Sequence, residues 1–256
     1  MASKQSGPPA TPGLRQLSNS EPSNLEEEYF RERAELLQRV DLSDYVDDPM
    51  VFCKRQKFAA MLARIEVFKQ VLEVQGSIVE CGVHKGNSLM MYAHLSATLE
   101  PYSINRKVIG FDSFEGLRSL SDMDPAILNE SDFSNTSYEV LSEIARISDK
   151  NRPLSHIPKI DLVRGDAVRT IPDYVAAHPE LIVALLYIDF DIYEPTKVAL
   201  THLLPLVPKG GIVALDELNC AKWAGETKAL KEVAEIRHLP LKRLSFDPWM
   251  SYWVVE

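Results

Sequence analysis

The segment Ile78-Val79-Glu80-Cys81-Gly82-Val83-His84-Lys85-Gly86-Asn87-Ser88 runs from a short apolar strand that ends in an acid, through two glycines, into the apolar-periodic stretch 89–99. Asn87 and Ser88 stand where an N-cap would open that helix. Strand, tight turn and helix in this order form the first unit of an open α/β sheet. The turn of such a unit is where a nucleotide-like ligand lies, because glycine lets the backbone approach it and the helix N-terminus offers free N–H groups. Gly82 and Gly86 do not complete the G-x-G-x-x-G fingerprint of a dinucleotide site, and no Gly-Lys-Ser or Gly-Lys-Thr closes a P-loop. On these residues alone, a glycine turn that merely joins a buried strand to its helix is an equal alternative.

Outward from this unit, the pattern predicts strands over 78–81, 107–111, 160–163, 181–188 and 211–215, separated by helices over 88–99, 137–147, 167–177, 195–206 and 225–236. Such alternation requires a parallel sheet with helices on both faces. Segments 241–246 and 251–255, joined through Asp247-Pro248-Trp249, are close enough to form an antiparallel hairpin on one edge. The expected fold class is therefore α/β, a mostly parallel seven-stranded sheet closed by that hairpin.

Before the sheet, residues 1–24 are rich in Ser, Pro and Gly and read as a loosely held arm. Residues 25–40 form an amphipathic helix around Tyr29, Phe30, Leu36 and Leu37, 41–49 break it, and 51–74 form a second helix. These extra helices (25–76) are expected to pack on the sheet edge and to favour a homo-oligomer. The main domain covers 77–256, with an insertion at 117–135 that is too long for a plain connection and reads as a lid.

The chain carries 28 basic and 37 acidic residues, a net charge of -9, which argues against nucleic acid or an anionic membrane as the main partner. Its three cysteines, Cys53, Cys81 and Cys220, are scattered and suggest neither disulfides nor a zinc site, so reducing cytoplasm is the expected compartment. No apolar run approaches the roughly 20 residues of a membrane span.

Chemistry-bearing side chains gather at the strand ends. Asp112 closes the second strand, where a carboxylate can accept from both ribose hydroxyls of a nucleoside. Asp166, in Arg164-Gly165-Asp166-Ala167, closes the third, where an adenine would lie; either acid also suits a simple helix N-cap. Asp189, Asp191 and Glu194 follow the fourth strand, and Asp216 and Glu217 the fifth. Acids converging on one sheet edge repel unless a cation neutralises them, and an all-oxygen set suits Mg²⁺, Mn²⁺ or Ca²⁺. Solvated loop acids that cap helices are the plain alternative. His84, His94 and His202 fall in or beside helices, where packing is the expected role, and His156 in a loop.

Taken together, Glu80-x-Gly82-x-x-x-Gly86, the block Gly110-Phe111-Asp112-Ser113-Phe114-Glu115-Gly116-Leu117, Gly165-Asp166-Ala167, the series Asp189, Asp191, Tyr193, Glu194, Thr196, and Gly210-Gly211 before Asp216 resemble the macrocin O-methyltransferase family over about residues 50–256. This resemblance implies a Rossmann-like class I methyltransferase fold and a metal-dependent enzyme of antibiotic biosynthesis that uses S-adenosyl-L-methionine to methylate a sugar hydroxyl. It implies that Glu80, Gly82, Val83, Gly86 and Ser88 line the methionine end of the cofactor. Asp112 with Ser113 and Phe114 would hold its ribose, and Gly165, Asp166 and Ala167 its adenine. Asp189 would be metal ligand and general base, beside the cofactor, with Asp216 and Glu217 as further ligands of Mg²⁺. The family commonly has two aspartates at that last place, so Glu217 keeps the charge on a longer arm.

Asp191 is assigned to substrate, to a bridging water or to holding its loop; Tyr193 and Trp223 are further substrate contacts, although Trp223 is equally suited to a hydrophobic plug. The expected acceptor is a deoxysugar on a nucleoside diphosphate or on a natural product. Three rivals remain: a catechol-type O-methyltransferase, for which the same metal logic holds; an NAD-dependent oxidoreductase, which would need the absent fingerprint; and a non-catalytic interaction protein, which would have lost these acids.

Overall fold

The computed structural model describes residues 24–256, so all of the expected arm except Asn24 lies outside the described residues. Seven strands form one sheet in the order β3-β2-β1-β4-β5-β7-β6. They are β1 (Ser77–Cys81), β2 (Val108–Asp112), β3 (Ile160–Arg164), β4 (Val183–Ile188), β5 (Ile212–Leu215), β6 (Lys242–Arg243) and β7 (Ser251–Val254). The first five pair in parallel, while β7 runs antiparallel to β5 on one side and to β6 on the other. β7 therefore inserts between β5 and β6, and the outer edge is only two exposed basic residues long, a short charged edge that resists pairing with another chain.

The strand order reverses between β1 and β4, both fully buried, and this switch point opens a crevice at the carboxyl ends of the strands. Side chains alternate across the sheet with period two. Ile78, Leu185 and Tyr187 face α4 (Arg55–Gln70) and α5 (Asn87–Leu99), with Val67, Phe68, Leu89 and Tyr92 between them. Val79, Leu186 and Ile188 face α7 (Ala167–Ala177), α8 (Tyr193–Leu203) and α9 (Ala224–Val233). Full burial of each such large apolar side chain contributes about 1.5–3 kcal/mol relative to exposure.

Several local expectations are corrected. The expected helix over 51–74 is broken at Cys53 and Lys54, where the backbone is extended, into α3 (Pro49–Phe52) and α4. The expected break at 41–49 holds a short helix of its own, α2 (Leu42–Asp47), after α1 (Asn24–Leu37). The N-cap of α5 is Gly86, at φ +84 with no side-chain cap bond, rather than Asn87 or Ser88; only glycine adopts this left-handed entry without strain. The expected hairpin strands shrink to β6 and β7. Helix α6 (Tyr138–Asp149) opens on Ser137, whose side chain accepts from Val140 N. Among the described residues no helix is long and apolar enough to cross a membrane.

Candidate active site

The crevice is lined by Gly82 and His84 after β1, Asp112, Ser113 and Gly116 after β2, Gly165, Asp166 and Ala167 after β3, and Asp189, Phe190 and Asp191 after β4. At its floor the ends of β1 and β4 nearly touch. Asp189 N donates to Cys81 O at 2.7 Å, and a Cβ on Gly82 would lie 1.9 Å from Asp189 O, so no larger residue fits there. Of the residues assigned to the cofactor, Glu80, Val83, Gly86, Ser88 and Phe114 stand behind this lining rather than in it.

Asp112 organises the turn from the neighbouring strand. Its Oδ2 accepts from Val83 N at 2.8 Å and His84 N at 2.7 Å, and its Oδ1 accepts from Phe114 N at 2.6 Å. A carboxylate oxygen has two acceptor directions, so Oδ1 keeps capacity for a hydroxyl in the crevice. Asp166 is the N-cap of α7, accepting from Val168 N at 3.1 Å, and its other oxygen accepts from Ser119 Oγ at 2.8 Å. It thus joins the insertion at 117–135 to the third strand while still lining the crevice.

That insertion is held at several points. Asp124 Oδ1 accepts from Tyr193 N at 2.7 Å, Thr136 Oγ1 donates to His84 O, and Asn135 Oδ1 lies 2.8 Å from His84 Nε2. Leu117 and Leu128 of the insertion form a small apolar cluster with Ile192, Cys220 and Trp223 from the segments after β4 and β5, with Phe133 packed on Trp223 at 6.3 Å between ring centroids. Trp223 is only 8% exposed, packed against the insertion. Tyr193 is buried and receives a hydrogen bond from Lys197 Nζ at 3.0 Å; neither residue lines the crevice. Of the histidines expected to pack, His84 lines the crevice with its ring 5.9 Å from that of Phe133, whereas His94 is exposed, which corrects the expectation for that residue.

The acids divide into two groups. Ligand atoms of Asp189, Asp191 and Glu217 lie within 4.8 Å of one another. Asp216 is instead held on the α4 face of the sheet, where Tyr187 Oη donates to its Oδ1 at 2.7 Å and Arg64 Nη2 lies at 4.0 Å. Arg64, on α4, was not singled out from sequence. It is buried, donates through Nε to Ser88 Oγ at 2.6 Å and through Nη2 to Tyr187 Oη, and lies 3.8 Å from Asp189 Oδ2. Its one sequence signal was a charge amid the apolar positions Met61, Leu62, Ile65 and Phe68 of α4.

Burial, then the negative charges of Asp216 and Asp191, push the Asp189 carboxyl well above the usual carboxylate range, against the pull of Arg64. Burial and Asp216 raise Asp191 to about 7. Glu217 is pushed well up by burial and by Asp191, and one of its oxygens, Oε2, is buried without a hydrogen-bond partner. Three hard oxygen donors that titrate high when alone and leave a buried lone pair unused fit a divalent cation.

A sheet in this order, with β7 antiparallel and the strand-end crevice at the β1–β4 switch, defines the class I methyltransferase fold. The family model described as macrocin-O-methyltransferase (TylF) matches residues 16–254, and the chain belongs to this family of O-methyltransferases. The crystal structure of CalS11, calicheamicin methyltransferase, is 31% identical with a TM-score of 0.86 and covers 99% of each chain. An apo structure of CalS11, described as TDP-rhamnose 3'-O-methyltransferase, is 30% identical with a TM-score of 0.78 over 92% of this chain and 96% of that one. The O-methyltransferase NovP, 22% identical with a TM-score of 0.60 over 77% and 79% of the two chains, shares the fold. No curated protein sequence matches the chain.

Proposed function

We propose that the protein transfers a methyl group from S-adenosyl-L-methionine to a hydroxyl of a deoxysugar, on a nucleoside diphosphate or on a natural product, with a divalent cation such as Mg²⁺. The observation that carries this reading is the trio Asp189, Asp191 and Glu217 beside a crevice whose other walls suit a nucleoside. When bound, S-adenosylmethionine supplies an electrophilic methyl group, and a divalent cation lowers the pKa of a hydroxyl that it binds.

The chain's residues do the rest. The Gly82–Gly86 turn cradles the methionine end, Asp112 Oδ1 accepts from the ribose, and Gly165, Asp166 and Ala167 flank the adenine. Asp189, Asp191 and Glu217 hold the cation, which revises the motif-based set: Asp216 takes the role of partner to Tyr187 and Arg64. Asp189 would take the proton of the sugar hydroxyl, whose oxygen would form the new C–O bond in line with the methyl carbon's bond to the sulfonium sulfur; that bond breaks and S-adenosylhomocysteine leaves. The lid, closed over the apolar cluster around Trp223, keeps water from the methyl group.

A sugar acceptor rests on the family and on the activity of CalS11 toward TDP-rhamnose. Incubation with S-adenosylmethionine, Mg²⁺ and either a panel of nucleoside-diphosphate deoxysugars or catechol tests it. Mass spectrometry is expected to show a gain of one CH₂ on a deoxysugar and none on catechol; methylation of catechol alone would overturn the sugar assignment.

A further inference from the structure

Glu226 lies in the first turn of α9 with no exposed surface. Its carboxylate does not cap its own helix; its partners are backbone N–H groups of two other segments. Oε1 accepts from Phe190 N at 3.2 Å and Asp191 N at 3.3 Å, in the loop after β4, and Oε2 accepts from Glu217 N at 3.2 Å, after β5. One side chain therefore ties the loop that carries Asp189 and Asp191 to the loop that carries Glu217. Asp191 holds a left-handed backbone, φ +64, that an unrestrained aspartate visits only occasionally, so its loop needs such a restraint.

We propose that Glu226 is a positioning residue that clamps these two loops from behind and so sets the spacing of Asp189, Asp191 and Glu217. The proposal rests on the reading of those three acids as the cation-binding group. Both oxygens are needed. A glutamine keeps one acceptor and turns an NH₂ toward the other loop, so it can satisfy the β4 loop or Glu217 N, but not both.

The test compares the full chain with its Glu226→Gln variant in three measurements: Mn²⁺ affinity by electron paramagnetic resonance, S-adenosylmethionine affinity by calorimetry, and amide hydrogen exchange over 189–192 and 216–218. The expected result is Mn²⁺ binding weakened about tenfold or more, as for other supports of metal ligands. Exchange should be faster in one of the two loops, and S-adenosylmethionine affinity should be kept. Equal Mn²⁺ affinity, or a fall matched by lost cofactor binding and general unfolding, would overturn the proposal. If the parent chain binds no Mn²⁺, the cation reading fails by itself; the clamp then stands on selective exchange in the two loops and falls if exchange is unchanged. Should the glutamine variant not fold, Glu226→Asp, whose shorter arm cannot span both loops, is read the same way.

Discussion

The guanidinium of Arg64, carried by a helix before the sheet, lies 3.8 Å from the carboxylate of Asp189 at the end of β4. It is also 4.0 Å from Asp216, so a cation of the chain itself neutralises one side of the acid cluster. The other side, Asp191 and Glu217, has no such partner within the chain's described ion pairs, and this asymmetry distinguishes the two halves of the cluster.

Arg64→Met should destabilise the fold by about 3 kcal/mol, because it leaves two largely buried carboxylates without their counter-charge and strips Ser88 and Tyr187 of a donor. Arg64→Lys should lose less, since it keeps the charge but not the forked geometry. Urea unfolding measures both. A methionine variant within about 0.5 kcal/mol of the parent would show that the pair carries no net stability.

The two halves should also separate in metal binding. Glu217→Gln and Asp191→Asn should each weaken Mn²⁺ binding at least about tenfold, whereas Asp216→Asn should leave it little changed. Calorimetric titration of the three variants decides this, and a loss in Asp216→Asn and Glu217→Gln with Asp191→Asn unaffected would restore the ligand set inferred from the motif alone.

Glu80 gives a pH dependence with a definite sign. Its carboxyl lies on the α4 face of the sheet, and burial raises its pKa from 4.5 to about 8, with Asp112 adding to the rise and Arg64 opposing it. A carboxyl whose folded pKa is raised stabilises as the neutral acid: the contribution is full below its unfolded pKa and is lost as pH rises through the folded one. The melting temperature of the parent should therefore fall more between about pH 5 and about pH 8.5 than that of Glu80→Gln. Parallel pH profiles for the two proteins would contradict this.

Asp112→Ala should weaken S-adenosylmethionine binding about tenfold or more, since it removes a charged acceptor and frees the N–H groups of Val83, His84 and Phe114 that shape the turn. Calorimetry checks it; unchanged affinity would remove Asp112 from the ribose role.

Much of this was legible in the sequence because it depends on local pattern. The alternation of apolar strands and helices, the glycines of the β1 turn and the acids after β2 to β5 are each read within a few residues, and the sheet gathers them at one edge whatever the details. Contacts that span the chain were not legible. Arg64 and Tyr187 are 123 positions apart, and a helix read for its apolar face gives no reason to expect an arginine aimed at the sheet. Glu226 had the same difficulty, since its partners lie on two loops brought beside it by tertiary packing. That Asp191 rather than Asp216 lies beside Asp189 and Glu217 was not legible either, because direction at a strand end follows backbone geometry, here a left-handed turn at Asp191 that motif spacing does not encode. The breaks around Cys53 and the short β6 reflect end effects, where propensity is weak and packing decides.

The proposed function requires the crevice at the β1–β4 switch to take S-adenosylmethionine. The most direct measurement is isothermal titration calorimetry of the protein with S-adenosylmethionine, S-adenosylhomocysteine and NAD, each with Mg²⁺ and with EDTA. Saturable one-site binding of the first two, and none of NAD, is expected. Binding of NAD alone, or of none of the three, would contradict it.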